Sequence, residues 1–136
     1  GADVDRILSH PMGMIGSDGI PHDVHPHPRL WGTFPRVLGH YARERGLFSL
    51  EEGVRKMTGL SAQTFNLKDR GLLQVGAFAD VVVFDANTII DTATFETPKS
   101  TAAGIDTVLV NGAIAWQQGG GTGQRSGRLL SNPGVT

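Results

Sequence analysis

Val108-Leu109-Val110-Asn111-Gly112-Ala113-Ile114-Ala115-Trp116 sets an Asn-Gly pair between two apolar arms, the strongest local signal in the chain. A two-residue type I′ turn needs positive φ at both central positions, which Asn and Gly accept readily, so the segment reads as a β-hairpin. Upstream, Ala79-Asp80-Val81-Val82-Val83-Phe84-Asp85 is a β-branched run bounded by acidic turn residues and reads as a strand. The chain therefore has β character from Gly71 onward. Gly119-Gly120-Gly121-Thr122-Gly123 is costly to order and reads as a mobile loop.

Before this β zone the pattern is helical. Phe34, Val37, Leu38 and Tyr41 are spaced i, i+3, i+4 and i+7, so residues 33–41 should form a helix with one face turned inward. Ser49-Leu50-Glu51-Glu52 has the form of a capping box, with the Ser49 hydroxyl accepting from the Glu52 amide and the Glu52 carboxylate reaching back. Val54, Met57 and Leu60 follow on the expected buried side. Gly59 should end this helix and Ser61 should cap a short second one through Phe65 and Leu67.

The first zone is rich in His, Pro and Gly. Met12, Met14 and Ile15 precede the turn-forming Gly16-Ser17-Asp18-Gly19, which reads as a short buried strand over residues 12–16 ending in a loop. Gly16 and Gly19 are read as backbone devices that permit a sharp strand exit. Pro21, Pro26 and Pro28 exclude regular helix through the long connection that follows. A loop of this length inside a compact protein is usually functional.

Composition narrows the function. A formal charge of −1, with 18% charged residues and no basic run, carries no electrostatic footprint for nucleic acid or an anionic membrane surface. No apolar stretch approaches the roughly 20 residues of a membrane span. Cysteine is absent, so neither disulfides nor thiolate ligands arise from this chain. The start, Gly1-Ala2-Asp3-Val4-Asp5, has neither an initiator Met nor a signal region and reads as a cut inside a longer polypeptide, with the cytoplasm as the expected compartment.

Two longer stretches carry a resemblance. Ser49-Leu50-Glu51-Glu52-Gly53-Val54-Arg55-Lys56-Met57-Thr58, followed by Arg70-Gly71-Leu72-Leu73-Gln74-Val75-Gly76-Ala77-Phe78-Ala79-Asp80-Val81-Val82-Val83-Phe84-Asp85, resembles the C-terminal signature of the amidohydrolase superfamily. Ile15-Gly16-Ser17-Asp18-Gly19, His27-Pro28-Arg29 and Gly32-Thr33-Phe34-Pro35-Arg36-Val37-Leu38-Gly39 are similar to its N-acyl-D-amino-acid deacylase branch. The resemblance implies an α/β plus β fold. Residues 1–68 would be the last strand, active-site loop and helices of a (β/α)8 barrel, and residues 69–136 the strands of a small β-sandwich domain. A whole barrel needs roughly 250 residues, so this chain of 136 holds only its end.

The implied chemistry is hydrolysis of an N-acyl-D-amino acid by a zinc-activated water, with an aspartate after the last barrel strand moving the proton. Asp18 matches that aspartate, as the catalytic base and a possible metal ligand, and the bare alternative is an ordinary Ser-Asp-Gly turn. Ser17 and Gly19 flank it as substrate-loop residues. Arg29 is the candidate for holding the substrate carboxylate, because its planar fork matches that group, and the alternative is a loop-stapling salt bridge. Arg36 is a second candidate on the predicted helix. His22, His25 and His27 have metal-ligand chemistry, yet the family's His-x-His pair belongs on the first barrel strand, upstream of anything here. His40 is expected to be a packed, hydrogen-bonded residue.

The remaining zinc ligands of the family lie outside this chain, so the isolated chain is expected to be inactive unless the rest of the barrel, or another chain, completes it. Two further readings stand beside this one. The first is a cyclic amidohydrolase of hydantoinase or dihydroorotase type, which shares the C-terminal signature. The second is a non-catalytic β-module with a structural or assembly role, whose exposed apolar surface a partner would cover.

Overall fold

The computed structural model describes residues 1–130. Helix α1 spans Ala2–Leu8 and α2 spans Arg29–Arg36, which runs on into a π-helical segment, Val37–Glu44. Helices α3, Leu50–Met57, and α4, Gly59–Thr64, follow. Strands β1 (Val81–Phe84), β2 (Ile105–Val110), β3 (Ala113–Gln117) and β4 (Gly120–Gly121) form one antiparallel sheet in the order β1-β2-β3-β4.

The expected helix over residues 33–41 is present and longer at both ends. Pro35 lies inside it, without an amide to donate, and the wider register begins two residues later. The Arg45 amide reaches back five residues to the His40 carbonyl at 2.9 Å. Val37, Leu38 and Ala42, with Leu60 and Ala62 of α4 and Ile89 from the β1–β2 connection, are the buried apolar side chains among the described residues.

The Ser49 cap forms, its hydroxyl accepting from the Glu52 amide at 3.2 Å. The Glu52 carboxylate does not reach back. It is taken by Arg55, with Nε at 2.7 Å and Nη2 at 2.8 Å, a stronger charged partner than the Ser49 amide. The helix stop also differs from the expectation. Thr58 rather than Gly59 separates α3 from α4, and Ser61 lies inside α4, its hydroxyl donating to the Lys56 carbonyl at 3.0 Å.

Residues 12–16 form no strand. Met12 lies exposed in a turn, and residues 13–16 join no ladder. A lone segment has no neighbouring backbone to pair with, so the apolar pattern alone cannot make a strand of it. Helix α1 precedes it and is tied to the end of the π-helical segment by Arg45, whose Nη2 lies 2.6 Å from Asp5 Oδ2.

The hairpin is as expected, with Asn111 at φ 48° and Gly112 at φ 82°. Val108 faces Trp116 and Val110 faces Ala113 across it, while Val81 and Val82 of β1 pair with Leu109 and Val108. The glycine run does not remain a loop throughout. Gly120 and Gly121 pair with Gln117 and Trp116, and the Thr122 amide continues to Ala115 O at 3.0 Å. Backbone hydrogen bonds to an existing strand offset the ordering cost of glycine.

One sheet is present among the described residues, and its surroundings remain open. Leu72, Leu73, Val75, Phe78, Val82 and Val83 are exposed. Between the helices and the sheet lies an apolar groove of about 730 Å³, lined among others by Phe34, Leu38, Val54, Met57, Val82 and Phe84. No described helix is long and apolar enough to cross a membrane.

Candidate active site

The loop after residues 12–16 turns sharply at Asp18, a non-glycine residue at φ 50°. Asp tolerates this left-handed region better than most side chains because its short polar group bonds locally. Ser17 supports the turn, its hydroxyl accepting from the Gly19 amide at 3.3 Å. Gly19 lies hard against Leu30. A Cβ there would stand 2.5 Å from Leu30 Cδ1 and 3.0 Å from its Cα, so glycine lets the loop close onto the start of α2.

That closure brings Asp18 to Arg29, the first residue of α2. Arg29 Nη2 lies 2.9 Å from Asp18 Oδ2, and Arg29 Nε donates to the Asp18 main-chain oxygen at 2.9 Å. Their side chains are 40% and 84% exposed, so the pair sits in water-rich surroundings. Arg29 is also fixed at its backbone, the amide donating to His27 Nδ1 at 3.0 Å. Two of the candidate residues, eleven apart in sequence, therefore form one unit.

The histidines serve the loop. His25 Nε2 donates to the Phe95 carbonyl at 2.9 Å, and the His27 ring meets the Phe95 ring edge-on at 5.0 Å. Together they fasten the proline-rich connection to the turn around Phe95. Among the described residues no three His, Asp or Glu side chains converge as a metal-ligand set. The described residues by themselves do not form a complete zinc site.

Arg36 stands apart from Asp18 and Arg29 and pairs with Asp91 Oδ2 at 3.3 Å, fixing α2 to the β1–β2 connection. His40 is held by Glu44 Oε2 at 2.9 Å and packs edge-on against Tyr41 at 5.0 Å.

Lys56 escaped the sequence reading. It is 0% exposed, and its ammonium donates to the His10 carbonyl at 2.5 Å and the Gly13 carbonyl at 3.3 Å, with Glu52 Oε1 at 3.6 Å. Arg55 adds a bond from Nη2 to the Pro11 carbonyl at 2.8 Å. Helix α3 thus grips residues 10–13, the approach to the Asp18 loop. The visible signal was the Glu52/Lys56 spacing of four, which ordinarily marks a solvated helix pair.

The amidohydrolase family model matches residues 2–115. The chain belongs to the amidohydrolase family. Within that family it is 64% identical over 129 residues to the D-aminoacylase of Alcaligenes xylosoxydans xylosoxydans, covering 95% of this chain and 27% of that protein. It superposes on a crystal structure of D-aminoacylase with a TM-score of 0.94 at 60% identity, covering 96% of this chain and 28% of the other. The N-acyl-D-glutamate deacylase of Bordetella bronchiseptica, solved with zinc and a phosphonate mimic of the tetrahedral intermediate, matches with a TM-score of 0.84 at 54% identity, over 86% of this chain and 25% of its own. This amidohydrolase chain spans about a quarter of the length of these relatives.

Proposed function

We propose that this chain supplies the base and the substrate-binding loop of a hydrolase that splits N-acyl-D-amino acids into a carboxylate and a D-amino acid. The observation that carries the reading is the Asp18–Arg29 unit: a carboxylate and a planar cation paired at 2.9 Å where the loop meets α2, in a chain 64% identical to a D-aminoacylase. Asp18 accepts a proton at its carboxylate from the attacking water as the new C–O bond forms. It returns that proton to the amide nitrogen as the C–N bond breaks, so that the amine leaves neutral. Arg29 orients the substrate through its carboxylate, with Ser17 and Gly19 shaping the loop on either side. A zinc ion, held by groups beyond this chain, would supply Lewis-acid activation.

In this reading residues 1–68 belong to the end of a (β/α)8 barrel, and residues 69–136 to a small β-sandwich, of which residues 131–136 lie outside the described part. The exposed apolar face around Leu72, Leu73 and Val82 is where the rest of the protein packs. The test is an assay of a full-length polypeptide carrying this chain on the N-acetyl derivatives of D-methionine, D-glutamate and D-aspartate, beside hydantoin and dihydroorotate. Turnover of the acyl amino acids that falls at least about a thousandfold in Asp18→Asn is expected, in line with the weight of a general base. Preference for the cyclic amides would instead assign the cyclic amidohydrolase activity.

A further inference from the structure

Arg29 and Asp18 are each other's partners in the structure, yet the proposed chemistry needs both for other work. Arg29 is to receive the substrate's carboxylate, and Asp18 is to receive a proton from water. Two of the guanidinium's nitrogens are already engaged by Asp18, Nη2 with Oδ2 and Nε with the main-chain oxygen, each at 2.9 Å. We infer that the substrate's carboxylate displaces the Asp18 carboxylate from Arg29, so that the base is released for catalysis only when a carboxylate-bearing substrate has bound. The inference rests on the deacylase reading of these two residues.

Three features favour such an exchange. The pair is exposed, with side chains 40% and 84% accessible, so one carboxylate replaces another without stripping a buried charge of its partner. Arg29 Nε remains on the Asp18 main-chain oxygen at 2.9 Å, and the Arg29 amide on His27 Nδ1 at 3.0 Å, so the guanidinium stays in position while one of its donors changes partner. The first turn of α2 carries no acidic residue, and a cation at a helix N-terminus faces the positive end of the dipole. An anion beside Arg29 is therefore favoured. A neutral amide cannot provide that anion, and leaves Asp18 where it is.

The experiment uses the full-length polypeptide carrying this chain, as wild type, Arg29→Met, Arg29→Lys and Asp18→Asn. Each is assayed for deacetylation of N-acetyl-D-methionine and of its neutral carboxamide, with and without added propionate, which is neither substrate nor product. With Arg29→Met, kcat/KM for the acid is expected to fall about 10- to 100-fold, the weight of hydrogen bonds to a charged group. The same variant is expected to hydrolyse the carboxamide at least about threefold faster than wild type, because Asp18 is no longer held. Arg29→Lys, which keeps the charge and loses the two-donor edge, should fall between them on both substrates. Propionate should accelerate wild-type turnover of the carboxamide and leave Arg29→Met unchanged.

An Arg29→Met protein slowed equally on acid and carboxamide would overturn the exchange, and so would a wild type indifferent to propionate; the latter result does not depend on how any variant folds. Failure of the deacylase reading itself is distinguishable. It would show as a wild type without turnover of the acid, or as an Asp18→Asn protein that retains it.

Discussion

The Lys56 ammonium donates to the carbonyl oxygen of His10 at 2.5 Å, although 46 residues separate the two in the chain. A buried cation gains little over an apolar side chain when it is well paired, but removing it strands what it held. Here the Gly13 carbonyl would lose the ammonium, the His10 carbonyl would keep only the Gly13 amide at 2.9 Å, and the Glu52 carboxylate would lose its second cation. Lys56→Met keeps most of the volume and none of the donors. It is expected to destabilise the protein by about 1–3 kcal/mol, the cost of leaving a buried polar group unpaired. Urea unfolding of the two proteins side by side measures this, and an unchanged midpoint would mean that water replaces the ammonium.

Glu52 makes stability depend on pH. The hydrogen bonds from Arg55 hold its carboxyl below the ordinary value of 4.5, with the charges of Arg55 and Lys56 acting in the same direction. Glu51 moves the same way through its own backbone amide and the Ser49 hydroxyl, and Glu96 through its own amide and Thr94. Near pH 4.5 the folded state thus binds fewer protons than the unfolded one, so this stabilisation is present above pH 4.5 and is lost as the pH falls through the lower folded value. Glu52→Gln should be less stable than wild type at pH 7, and the gap should close towards pH 3. Equal gaps at both pH values would show that Glu52 acts by packing and not by charge.

Gly39 stands where the π-helical segment crosses the β1–β2 connection. A Cβ added there would lie 2.3 Å from the Ile89 carbonyl oxygen and 2.5 Å from Ile90 Cδ1. Backbone cannot yield as a flexible side chain does, so Gly39→Ala should cost about 1–3 kcal/mol by overpacking. Gly120→Ala, with nothing within 4 Å of the new methyl, should shift stability by less than about 0.5 kcal/mol. Comparable melting temperatures for the two variants would contradict this account.

The hairpin turn is anchored by a polar network. Asp80 pairs with Arg70 and accepts from the Asn111 amide at 2.8 Å through Oδ1, Arg70 Nη2 donates to Asn111 Oδ1 at 3.1 Å, and the Arg70 guanidinium lies 4.1 Å from the centre of the Phe78 ring. Asp80→Ala leaves a mostly buried Arg70 without its carboxylate. Faster amide hydrogen exchange at Asn111 and Gly112, with a global loss of about 1–3 kcal/mol, is the expected result. Unaltered exchange at the turn would place its stability in the strands alone.

Local patterns read well wherever a few neighbouring residues decide the outcome. The Ser49 cap, the helix around Val37 and Leu38 and the Asn111-Gly112 turn each depend on spacing or backbone preference within one turn of chain. The strand expected over residues 12–16 did not form, because a ladder requires a second backbone that the pattern of Met12, Met14 and Ile15 cannot bring. Gly120 and Gly121 are ordered for the converse reason: β3 lies beside them, whatever their own preference.

The same division holds for the candidate site. The sequence by itself determined which residue types were available: a carboxylate in a Ser-Asp-Gly turn, an arginine after a proline-rich loop, and no cysteine. It also determined the family, through runs of residues long enough to be distinctive. Only the tertiary structure decided that Asp18 and Arg29 hold each other, that His25 and His27 serve Phe95, and that Lys56 is buried on the carbonyls of residues 10 and 13. Those outcomes join positions 11 to 70 residues apart. Charge and hydrogen bonding act through distance in space, and that distance is set by how the loops and helices close on one another, which no stretch of sequence contains.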